Sequence, residues 1–354
     1  MGFRVLILEE SYYHAESLDR FVTSGEGDPR ELMNDLAAWY LWDTEEMLDL
    51  VLWVRRFNEN REAKDQVRIF GADITAPIDG TREVLDALER AEIDTRNLAA
   101  NLALDLQEGD FWPATWTRYG ELPEENRLAT RIAYRNLEDI LEREKTKLIM
   151  QSSAKEYDRL SWLARIGGWA NEFFLCTDIN SGGIVREKGM SETTLWILEH
   201  RAPMERGVLW AHNLHVSASP FRMPDVVEGI HEPMGLLLRD KLGEDYLVIG
   251  GVFGFGTYGP EFPPGERRLD VLPQETVDGA CAAIGSDCFF LDLRESRSEE
   301  EARAWLFTER VMRAQDFNSH LNPGKAFDLI YYVNEISRAQ VTPLALSKYG
   351  NMPD

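Results

Sequence analysis

Val208-Leu209-Trp210-Ala211-His212-Asn213-Leu214-His215 sets a short apolar run directly before two imidazoles three residues apart. A run of this length, with aliphatic and aromatic side chains and polar or glycine residues nearby, reads as a buried strand. Open α/β sheets carry their ligands at the carboxyl ends of such strands, so His212 and His215 are the first candidates for chemistry. Local hydrogen bonding in the loop explains a pair of histidines equally well.

Working outward, comparable runs stand at residues 5–8, 67–70, 246–252, 288–293 and 329–333. Amphipathic stretches lie among them. In 43–60, Asp43-Thr44-Glu45-Glu46 supplies a helix start and Leu48, Val51, Leu52 and Phe57 mark the buried stripe. Strands alternating with helices predict an α/β fold, a parallel or mixed sheet flanked by helices. About 135 residues separate the second and third strand candidates and read as several helices, a large helical insertion. The expected division is an N-terminal part of the core at 1–80, an insertion or lid at 81–200 and a C-terminal part of the core at 201–354. Such an excursion can roof a pocket over the strand ends. Trp112, Trp116, Trp162 and Trp169 fall within it, either lining that pocket or filling helical core.

The 62 acidic and 38 basic residues give a formal charge of -24, which repels phosphate backbones and anionic lipid headgroups. Neither a nucleic-acid nor a membrane partner is expected. Three scattered cysteines, Cys176, Cys281 and Cys288, make no disulfide framework and fit a reducing compartment. The first residues offer neither a signal segment nor a membrane span, so a soluble, cytoplasmic protein is expected. The glycine cluster from Gly250 to Gly256 lacks the following helix and Lys of a phosphate loop; close backbone approach beside a pocket is its better use, with Phe253 among the candidate substrate contacts.

Glu9 and Glu10 follow the first apolar run and Asp73 the second, so acids and imidazoles stand at three strand ends. If those strands are neighbours, a carboxylate can orient an imidazole that handles the proton of a water. Acids after strands also commonly cap the next helix. His212, His215, Glu9 and Asp73 are in addition metal-ligand types, and the spacing of three suits two ligands on one turn.

The segment from Gly207 to Val216 resembles the Ala-His-Asn-x-His motif of the erythromycin esterase family, and Pro233-Met234-Gly235 with Leu237 is similar to the Met-Gly-x-x-Leu that follows it. Gly243-Glu244-Asp245-Tyr246 into Ile249-Gly250 resembles the next strand of that family. Upstream, Gly2-Phe3 through Glu9, Trp53-Val54-Arg55-Arg56-Phe57-Asn58 and Phe70-Gly71-Ala72-Asp73-Ile74 resemble further family elements in the same order. Arg186 and Met190 sit where the family has an Arg-Asp pair and a Met, with Glu187 in place of the Asp. The resemblance implies hydrolysis of a macrolide lactone by water activated on an imidazole, without a cofactor or an obligatory metal. It places Glu9, His212, His215 and Arg186 at active-site positions. The family's first catalytic segment, a strand ending in Gly-Glu-x-x-His, is expected to lie before the Gly-Phe element and is not matched here. Its loss would expose a sheet edge, and His14 and His231 are the candidates for a replacement imidazole.

These readings lead to an enzyme acting on an ester, lactone or related acyl-type natural product through His212, His215, Glu9, His14 and His231. Glu10, Asp73, Arg186, Met234 and Phe253 are the expected substrate contacts. A small macrolide or polyketide-like substrate is the expected partner, with antibiotic resistance or natural product biosynthesis as its setting. The alternatives are a biosynthetic enzyme catalysing cyclisation, elimination or rearrangement, and a binding protein that retains the pocket without turnover.

Overall fold

Alternate side chains of the first strand, β1 (Phe3–Ser11), enter different cores: Val5 and Ile7 pack among the helices of the long insertion, Leu8 among helices near the N-terminus. A strand buried on both faces carries a continuous apolar run, which is why residues 5–8 are legible as one. The computed structural model describes residues 2–107, 112–203, 205–259, 266–296, 300–314 and 317–350. Ten further strands follow: β2 (Arg68–Asp73), β3 (Arg206–Trp210), β4 (Phe221–Met223), β5 (Val227–His231), β6 (Ile249–Tyr258), β7 (Arg267–Leu269), β8 (Cys288–Asp292), β9 (Arg310–Ala314), β10 (Phe317–Leu321) and β11 (Leu329–Ile336).

They form three sheets. β1 is flanked by β2 and β3, both parallel to it, in the order β2-β1-β3; β7-β6-β11-β8 is mixed, and β5-β4-β10-β9 is antiparallel. Leu8 of β1 pairs with Gly71 on one side and Trp210 on the other, so the three parallel strands reach their carboxyl ends together. Gly71 is required there. A Cβ at that position would stand 2.3 Å from the Glu10 carbonyl oxygen and 2.4 Å from that of Ser11.

Each of the six apolar runs overlaps a strand. Not predicted are β4, β5, β7, β9 and β10, three to five residues long and carrying Arg, Glu, Asn or His at alternate places, so they present no apolar run. Between β2 and β3 the described residues are helical or loop, with Glu124–Arg143, Ala154–Leu175 and Ile179–Trp196 as the long helices. Ser153 and Asp178 cap the last two by accepting backbone N–H bonds, and Thr44 does the same for Glu45–Asn58. No described helix is long and apolar enough to cross a membrane.

Candidate active site

The aligned ends of β1, β2 and β3 bring Glu9, Asp73 and the His212–His215 turn together, and Ile179–Trp196 lays Arg186 and Glu187 across them. Arg186 is the hub. Its Nη2 donates to Glu9 Oε1 at 2.9 Å and to Asp73 Oδ2 at 2.7 Å, while Nε donates to Asp73 Oδ1 at 3.2 Å. Burial would discharge the guanidinium, but Asp73 and Glu9 hold it charged. Arg186 thus already supplies a fixed cation between two carboxylates that could otherwise attract one from solution.

Glu9 has three donors. Besides Arg186, His215 Nε2 lies 3.1 Å from Oε1, and the His212 backbone N–H donates to Oε2 at 2.9 Å. Burial raises a carboxyl, but the His215 charge with Arg186 and the His212 N–H outweighs it and holds Glu9 well below its ordinary value. Glu187 clamps the other side of His215: one oxygen meets Nδ1 in a short contact and the other accepts the Met234 backbone N–H at 2.7 Å.

The two imidazoles are driven apart in protonation. Burial lowers His215, yet Glu187 and Glu9 overcome it and push the ring up to about 10. His215 is therefore an imidazolium at neutral pH, with Arg186 Nη1 at 3.1 Å a repulsive neighbour rather than a partner. Burial, then the His215 charge, brings His212 down to about 4, so it is neutral. Its Nδ1 accepts the Leu214 N–H at 3.3 Å, which assigns the ring proton to Nε2. Two neighbouring rings, with centroids 6.4 Å apart, thus hold different charges, as acid/base sites require.

This cluster lies against a cavity of about 610 Å³. Tyr40, Trp42 and Trp210 line one part of it, Trp112, Trp116 and Phe173 of the insertion another, and Val226, Ile230 and His231 of the β4–β5 hairpin a third. Of the four insertion tryptophans, Trp112 and Trp116 reach the cavity. Trp162 stacks on Trp196 at 4.8 Å in the helical core, with Trp169 beside it. A second cavity of about 670 Å³ surrounds Glu16, Arg68, Glu83 and Arg159, but Arg159 is paired with Glu16 and Glu83, and Arg68 with Asp19. It reads as an ionic framework between helices.

Of the residues singled out in the sequence, Glu9, Arg186, His212, His215 and His231 line the cavity, and Asp73 joins through Arg186. Four others stand elsewhere. Glu10 points to the opposite face of β1, fully buried, where it accepts N–H bonds from Ser11, Ala37 and Ala38; strand alternation separates it from Glu9. His14 sits on helix Tyr12–Ser24 between Ser11 Oγ at 3.0 Å and Asp79 at 3.3 Å. Met234 is core, contributing its backbone N–H, and Phe253 packs under Arg313, 4.8 Å from the ring centroid. Sequence reading missed Glu187 as a partner of His215, and it missed Trp42, whose Nε1 donates to the Glu9 carbonyl at 3.1 Å. Adjacency to Arg186 was the signal for the first; nothing local marks the second.

The sequence pattern described as erythromycin esterase matches residues 1–336. An erythromycin esterase type II of Escherichia coli is 23% identical over 381 residues, covering 96% of this chain and 84% of its own length. A solved structure of a protein from Bacillus cereus matches with a TM-score of 0.76 at 23% identity, over 96% of this chain and 83% of that one. A solved erythromycin esterase mutant in its open conformation matches at 0.71 and 16% identity, over 97% and 84%. These structural likenesses establish the fold, and the sequence match over most of the chain establishes kinship: the chain belongs to the erythromycin esterase family.

Proposed function

We propose that the chain hydrolyses an ester or lactone of a bulky apolar substrate, and that the observation carrying this reading is the opposed charge of His212 and His215 beside an aromatic cavity. The neutral His212 offers Nε2–H to a carbonyl oxygen, which gains charge as water adds. His215, whose two ring nitrogens are taken by Glu9 and Glu187, adds a fixed positive charge beside that oxygen. Removing the proton of the attacking water requires a free imidazole. His231 is the candidate for that role: it lines the cavity, burial lowers it below its ordinary value, and its Nε2, though buried, has no hydrogen-bond partner among the described residues. Proton balance is then complete, since the proton that water gives to His231 passes on to the leaving alkoxide and leaves His231 neutral again. A macrolide lactone is the substrate expected from kinship.

Incubation with a panel of macrolides tests this by mass. A ring-opened product heavier by one water supports hydrolysis; an isomer of unchanged mass would replace it by rearrangement, and binding without product by sequestration.

A further inference from the structure

Tyr40, Leu41 and Trp42 form one wall of the cavity, and they belong to a helix of a single turn, Trp39–Trp42. A turn this short closes too few hydrogen bonds to hold itself, so its place is set by what it packs against. Residues 340–348 supply much of that packing. β11 ends at Ile336, and the chain then crosses from the mixed sheet to the N-terminal half. There Val341 makes an antiparallel bridge with Thr44, and the Gln340 carbonyl accepts the Glu45 N–H at 2.8 Å. Helix Pro343–Gly350 follows, with Ala345 fully buried in the same core as Trp39 and Trp42.

Asp43, directly after the wall, is the fastening. Its residue is 1% exposed, and its carboxylate accepts from Thr342 Oγ1 at 2.7 Å and Asn34 Nδ2 at 2.8 Å, while its carbonyl accepts the Thr342 N–H at 3.1 Å. A buried carboxylate needs such donors, so this contact is directional where apolar packing alone is not. Lys348 adds a second tie: Nζ donates to the Asn34 carbonyl at 2.6 Å and lies 4.7 Å from the Trp39 ring centroid. On its other side the wall meets the ion cluster. Trp42 Nε1 donates to the Glu9 carbonyl at 3.1 Å, and its ring stands edge-on to Trp210 at 5.6 Å.

We propose that residues 340–348 are a strap that fixes the aromatic wall beside Glu9, and that Thr342 and Lys348 are positioning residues for substrate fit. Neither lines the cavity; Thr342 acts through Asp43, and Lys348 through Asn34 and Trp39. The strap lies beyond residues 1–336, which the family pattern matches, so a segment outside that pattern helps set the width of this cavity. The role in fit rests on the hydrolysis reading; the holding of the wall does not.

Hydrogen exchange and substrate affinity, measured on full-chain variants, test the two parts separately. Thr342→Val keeps the side-chain shape and removes the donor to Asp43. The Leu41, Trp42 and Asp43 amides, bonded within the turn to the Ala38 and Trp39 carbonyls, should then exchange about tenfold faster or more, with Ile7 and Leu8 of β1 unchanged. Thr342→Ser restores the hydroxyl and should return the parent rate, and Lys348→Met should act in the same direction as Thr342→Val. Macrolide affinity, read as KM where the ring opens and as Kd by tryptophan quenching where it binds without product, should weaken about tenfold in Thr342→Val, with any kcat within about threefold. Unchanged exchange at residues 41–43 overturns the strap, and so does equal acceleration in β1, which would make Thr342 a general stability contact. Affinity that does not change, or no macrolide bound at all, overturns the role in fit. A panel that is bound but never opened refutes the hydrolysis reading instead, and the strap is then decided by exchange and Kd.

Discussion

Replacing Glu9 by Gln keeps the side-chain shape and removes the charge on which the cluster turns. The carboxylate accepts from Arg186, His215 and the His212 backbone N–H, whereas a Gln amide has one acceptor oxygen and an NH₂ that must face another donor. One buried donor is left unsatisfied, at about 1–3 kcal/mol. Arg186 keeps Asp73 and His215 keeps Glu187, so the loss should stay below the roughly 3–5 kcal/mol of a buried pair broken outright. Catalysis should suffer more. His215 loses one of two anions that hold it protonated, and His212 loses the bond that orients its backbone, so kcat/KM for the macrolide opened by the wild type should fall by about 100- to 1000-fold. Lactone opening followed by mass, with thermal unfolding alongside and an NMR titration of His215, reads all three effects. Activity within about threefold of wild type (below 1 kcal/mol in the barrier) would refute the reasoning, as would a His215 pKa that fails to fall.

Glu10→Gln, one residue on and facing the other core, should leave kcat/KM within about threefold; a loss matching that of Glu9→Gln would place the active site on the wrong face of β1. Because His215 is raised from its ordinary value to about 10, its contribution to stability is complete below the unfolded value, near 6.5, and is lost as pH rises toward 10. The stability difference between wild type and His215→Gln in urea melts should accordingly shrink from pH 6.5 to pH 10, and a difference that grows over that range contradicts the charge assignment. His212 is displaced in the other direction, so any acid limb of kcat/KM that reports His212 should lie near 4 rather than near 6.5. Trp116 packs edge-on against Phe173 at 4.6 Å and lines the cavity, so Trp116→Ala should raise KM by about tenfold with kcat little changed; an equal fall in kcat would move its role into the transition state.

β1 and β2 are legible because strands covered on both faces must be apolar throughout, whereas β3 keeps an apolar run although Val208 and Trp210 are about half exposed, so the expected buried strand there is an exposed one; in all three the residues just beyond the run stand out as polar. Glu9, Asp73, His212 and His215 were found that way. The antiparallel hairpin of β4 and β5 was invisible for the converse reason: Arg222, Glu228 and Gly229 interrupt it, and its apolar side chains Val226 and Ile230 face the cavity mouth rather than a core. Glu10 shows a subtler limit. Two adjacent acids at a strand end look equivalent in composition, and the period of two sends one to the imidazoles and the other beneath the Ala37 and Ala38 amides. There burial pushes Glu10 up to about 7 without any evident part in the chemistry. A displaced titration thus does not by itself mark a functional group; contact with the cavity separates Glu9 from Glu10.

Adjacent residues on one helix serve different parts of the site. Arg186 binds Glu9 and Asp73 of the N-terminal strands, and Glu187 binds His215 and the Met234 backbone of the C-terminal half. The protonation of His215 depends on Glu187 and Glu9 together, so it is established only when Ile179–Trp196 seats against both halves. Gly189 permits that seating, since a Cβ there would stand 2.9 Å from Ile74, the buried residue after Asp73. The helix Ile179–Trp196 therefore does more than line the cavity. It carries the cation that neutralises one pair of carboxylates and the carboxylate that charges an imidazole, and a small shift of this helix would alter both before any lining residue moved.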